Sequence, residues 1–76
     1  MPKPPIASGP QVRRALEKTG FEFVRQTGSH AIMANPGTGR VAVIPMHGGR
    51  DLQPWTINSI LDQAGISADD LRSLLR

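Results

Sequence analysis

Cysteine is absent from these 76 residues, and so is tyrosine; two Phe and one Trp are the only aromatic side chains. Without Cys there can be no disulfide and no thiolate metal site. A reducing, cytoplasmic setting fits that absence. Long apolar runs are also missing. No stretch approaches the ~20 residues needed to span a bilayer, and Met1-Pro2-Lys3-Pro4-Pro5 lacks the apolar segment of a signal peptide. Acid is scarce, with six Asp and Glu against nine Lys and Arg, a net charge of +3. The expected class is a single small soluble intracellular domain with no membrane partner. Hydrophobic residues make up 38% of the chain, so Val, Ile, Leu, Ala and Met must build the core. A domain of this size buries only about 60% of the surface its unfolded chain exposes, and a partner would add to its stability.

The charge is unevenly placed. Residues 1–50 carry seven basic residues against Glu17 and Glu22, while residues 51–76 carry Arg72 and Arg76 against four Asp. A basic half suits a polyanion such as nucleic acid; a solvated basic surface, common in small proteins, is the plainer reading.

The chain reads as helix, three strands, helix. Residues 1–7 form a Pro-rich, flexible lead-in, and residues 8–76 form the domain. Ser8 with Gln11 three residues on makes a capping box, and Pro10 is tolerated in a first helical turn. Val12, Ala15 and Leu16 follow helical spacing, and Gly20 supplies the stop. Phe21 to Arg25 alternates like a half-buried strand, with Phe21 and Phe23 directed to the core. Ala31 to Ala34 and Arg40 to Pro45 give two more strands, divided by the Asn35-Pro36-Gly37-Thr38-Gly39 turn. Loops of hairpin length imply an antiparallel meander. Pro54 opens a second helix, carried by Ile57, Ile60, Leu61 and Ala64 and ended by Gly65. Ser67 with Asp70 starts a short last helix. The expected class is α+β, in the order α-β-β-β-α, with helices on one face of a three-stranded sheet and the other face partly open.

Few residues can do chemistry. The carboxylates are scattered, and Asp69-Asp70 suits the first turn of a helix. No metal-ligand spacing occurs, and no cofactor motif. His30 and His47 remain. His30 follows Thr27-Gly28-Ser29 at the start of the second strand, where a glycine turn lets backbone N–H groups approach a phosphate oxygen. An imidazole, with an ordinary pKa near ~6.5, accepts or donates a proton at neutral pH. A histidine at a strand start also suits a plain polar surface position. His47 lies just past the third strand, before Gly48-Gly49-Arg50. In a meander the two histidines fall at the same end of the sheet, close enough to share a phosphate; a loop histidine bonded to backbone is the other reading of His47.

Ala15-Leu16-Glu17-Lys18-Thr19-Gly20-Phe21, Arg25-Gln26-Thr27-Gly28-Ser29-His30 and Val43-Ile44-Pro45-Met46-His47 occur in this order. Leu52-Gln53-Pro54, the block from Ile60 to Ser67, and Leu71 follow. Together they make the chain resemble the HicA toxins, mRNA interferases of type II toxin–antitoxin systems. The resemblance implies a fold like that of double-stranded-RNA-binding domains and RNA cleavage with no required metal or cofactor. It places the catalytic histidine at His30 and implies a HicB-type antitoxin as partner. Trp55 departs from the family, which often has Gly there; core-edge packing is the expectation for it, with a partner anchor as the alternative.

The implied chemistry is attack by a ribose 2′-OH on the adjacent phosphodiester, with His30 as the base. His47 or water supplies the acid. Arg25, Lys18, Arg50 and the Gly28 and Ser29 amides are candidates to steady the phosphate. A non-catalytic RNA-binding module of the same fold is the competing class, and a structural interaction protein a third.

Overall fold

The structure is a computed structural model that describes residues 3–76. Ser8 opens α1 (Gly9–Glu17): its hydroxyl accepts the Gln11 N–H, and the Gln11 side chain accepts the Ser8 N–H at 2.8 Å. Three strands follow, β1 (Glu22–Thr27), β2 (His30–Asn35) and β3 (Arg40–Pro45), in one antiparallel sheet of order β1-β2-β3. Pro54 begins α2 (Pro54–Ala64), which stops at Gly65 with φ +73°. The Ser67–Asp70 capping box starts α3 (Ala68–Leu74). The α+β class and the α-β-β-β-α order are those expected from the sequence.

Alternation divides the sheet into two faces. Ala31 and Met33 of β2 and Ala42 and Ile44 of β3 are fully buried on one face. Met33, Ala42 and Ile44 share a core cluster with Val12 and Leu16 of α1, Ile57 and Ile60 of α2, and Leu71 of α3. Each large aliphatic side chain buried there contributes about 1.5–3 kcal/mol. The opposite face carries His30, Ile32 and Ala34, paired with Pro45, Val43 and Val41 of β3 and with Thr27, Arg25 and Glu22 of β1. Among the described residues no helix covers it, and Val41 and Val43 are exposed.

Two aromatic residues depart from expectation. All six residues of β1 are exposed, and Phe23 is 40% exposed, whereas Phe21 is buried. β1 is an edge strand, and a bulge between Phe23 and Arg25 breaks its alternation. The Phe23 ring lies beneath the Arg13 guanidinium, 4.3 Å from ring centroid to Cζ. Trp55 is 70% exposed and does not pack at the core edge. The buried stripe of α2 runs through Ile57, Ile60, Leu61 and Ala64, and at 100° per residue Trp55 falls nearly opposite Ile57.

The Pro-rich lead-in expected over residues 1–7 lies partly outside the described residues. Within them, Ala7 is fully buried. Its carbonyl accepts the Leu52 N–H at 2.9 Å, and Ser8 bridges Asp51. The start of the domain therefore pins the segment that leads into α2.

Candidate active site

Two turns meet at one end of the sheet. The first closes the β1–β2 hairpin: Thr27 pairs with His30, leaving Gly28 and Ser29 as a two-residue loop. Gly28 has φ +58° with open space around it, so glycine is required there by backbone conformation and not by crowding. Neither the Gly28 nor the Ser29 amide donates to another backbone group among the described residues. The Ser29 carbonyl accepts the Met46 N–H at 2.6 Å, which ties this hairpin to the chain leaving β3.

The second turn runs from His47 to Arg50, where the Arg50 N–H donates to the His47 carbonyl at 3.0 Å. Gly48 and Gly49 have φ +57° and +79°, the two positive values of a type I′ turn. His47 and Arg50 therefore stand at the two ends of one tight turn. A third contact fixes its base: a methyl group added at Gly9 would overlap the Pro45 carbonyl, so the start of α1 sits directly on the end of β3.

These constraints bring His30 and His47 together. Their ring centroids are 6.1 Å apart, with the planes at 79°. Both residues are exposed, and no hydrogen bond joins the rings. Arg25 lies on the same open face as His30, because its partner Ile32 is two residues along β2 from His30. Arg50 shares a groove of about 260 Å³ with His47, Pro45, Asp51, Gln53 and Thr56. Neither arginine has an ion pair or a side-chain hydrogen bond among the described residues.

Lys18 is not brought to this end. It caps the far end of α1, about 14 Å along the helix axis at 1.5 Å per residue. Its ammonium donates to the carbonyls of Leu74 at 2.8 Å and Arg76 at 3.3 Å, at the end of α3. Gln53 belongs to the Leu52-Gln53-Pro54 stretch that the sequence marks without giving it a role in the site, and Thr56 carries no sequence signal. Both reach the site because Pro54 starts α2 beside the His47 turn. Among the described residues, no three His, Cys, Asp or Glu side chains cluster as metal ligands would. No helix of the described residues is long and apolar enough to cross a membrane.

Comparison with protein families places the same residues in a wider context. The model of a family described as "HicA toxin of bacterial toxin-antitoxin" matches residues 9–66. The chain belongs to the HicA toxin family. The match runs from the start of α1 to just past α2 and takes in both histidines; α3, with Leu71, lies beyond it. As a HicA toxin the protein is one member of a toxin–antitoxin pair, so an antitoxin is its expected cellular partner. Comparison with curated proteins gives no match.

Proposed function

We infer that this HicA toxin is an mRNA interferase, an endoribonuclease that cuts messages and so arrests translation and growth. The observation that carries the reading is the placement of His30: exposed, at the end of an uncovered sheet face, beside a glycine turn with free amides. A nucleotide strand has open access to that ring. His30 removes the proton from a ribose 2′-OH, and the oxygen attacks the neighbouring phosphorus. Negative charge then grows on the non-bridging oxygens. The Gly28 and Ser29 amides, Arg25 and Arg50 are the donors nearest to that charge. The reaction runs on proton transfer alone and calls for no metal.

A HicB-type antitoxin restrains the enzyme on this reading. An acidic surface laid over the end of the sheet blocks RNA by the same attraction that recruits it.

Inducing the His30→Ala variant in cells tests the proposal. The exposed ring contributes little to packing, so the variant keeps the fold and loses both growth arrest and message cleavage. RNA binding without cleavage by the unaltered protein would instead mark a binding module, with His30 as a phosphate contact.

A further inference from the structure

We propose that His47 is the general acid of the reaction and that the groove beside it holds the leaving nucleoside. This rests on the ribonuclease reading above and adds a second catalytic residue and a direction for the strand.

The geometry separates the two histidines. With centroids 6.1 Å apart and rings edge to face, they are not bonded to each other. At that separation a phosphate placed between the rings is within reach of both, through hydrogen bonds of about 2.6–3.2 Å. His47 borders the groove and His30 does not. His30 faces the open sheet with Thr27 and Arg25. The nucleoside that supplies the 2′-OH therefore lies over the sheet, and the one that departs lies in the groove. Gln53, Thr56 and Asp51 line that groove with side-chain acceptors and donors, and Pro45 and Leu52 give it apolar wall. Arg50 lines the groove beside Asp51, so its guanidinium offsets the carboxylate, which accepts hydrogen bonds from the N–H edge of a base. The groove thus suits the sugar and base of the first nucleoside of the leaving strand.

The step balances without a co-reactant. His30 accepts the 2′-OH proton, the O2′–P bond forms, and the P–O5′ bond breaks as His47 gives its proton to O5′. The products are a 2′,3′-cyclic phosphate and a 5′-hydroxyl, with His30 now protonated and His47 neutral. Exchange with water resets both rings.

The test uses an oligonucleotide with one ribose at the cut. In one version the leaving atom is the normal 5′-oxygen; in the other it is sulfur, which departs without a proton. His47→Ala is expected to lose about 10²- to 10⁴-fold in rate with oxygen and to run close to the unaltered protein with sulfur. His47→Gln, which keeps a polar side chain but whose amide is far too weak an acid to protonate O5′, behaves the same way. His30→Ala is slow with both. Equal loss on both substrates, or no loss with oxygen, overturns the assignment of His47. If the unaltered protein cuts neither substrate, the ribonuclease reading fails and this assignment fails with it. Circular dichroism of each variant confirms that the fold is intact.

Discussion

The ammonium of Lys18 and the guanidinium of Arg25 carry the same charge on the two elements that precede His30. Lys18 meets the last carbonyls of α3, where a cation at a helix C-terminus contributes about 0.3–1 kcal/mol. Arg25 stands free on the open face. Lys18→Met is therefore expected to lower stability by roughly that amount and to leave RNA affinity nearly unchanged. Arg25→Met keeps its stability and weakens RNA binding. Plotted against log salt, its binding curve is shallower than that of the unaltered protein by roughly 0.7–1. Equal RNA affinities for the two variants would contradict this division of labour. Trp55 offers a simpler check. As the only Trp, and an exposed one, it reports its own surroundings. Its emission is expected to shift little to the red on unfolding, and Trp55→Ala to change stability by no more than about 0.5 kcal/mol. A large red shift would place the indole in the core.

At the scale of elements, the site depends on turns and on one close contact. Gly48 holds a left-handed conformation, which costs a residue with a Cβ roughly 1–2 kcal/mol. Gly48→Ala is thus expected to lower the melting temperature and to slow cleavage by moving the ring of His47. Gly9→Ala works from the other side by pushing α1 away from Pro45. A Gly48→Ala variant of full stability and activity would show that the turn does not position the ring. The sequence made much of this legible, because caps and glycines act locally: Ser8–Gln11, Ser67–Asp70, Gly28 and Gly65 each announce their element in a few residues. Placing both histidines at one end of the sheet needed only the meander. What stayed hidden depends on tertiary neighbours. Phe23 sits on an edge strand with a bulge that alternation does not reveal. Trp55 is set outward by the phase of α2. Lys18 finds its partners 56 and 58 residues along the chain.

For the molecule as a whole, the fold divides into a packed face and an open face, and the proposed nuclease uses the open one. The helices supply stability on one side, and Leu16 at its centre is fully buried; Leu16→Ala is expected to cost about 2–5 kcal/mol, much of what a domain of this size has. The other side is open, and on the proposed reading it takes a strand of RNA or the antitoxin that denies RNA access. Arg25 gives that face a positive charge, and the two histidines sit where it ends. Analysis of the ends left on a synthetic RNA, incubated with the purified toxin and EDTA, tests this account most directly. It predicts 2′,3′-cyclic phosphate and 5′-hydroxyl ends that appear with the unaltered protein and vanish with His30→Ala. RNA left intact, cleavage that stops when metal is chelated, or an undiminished product yield from His30→Ala would contradict it.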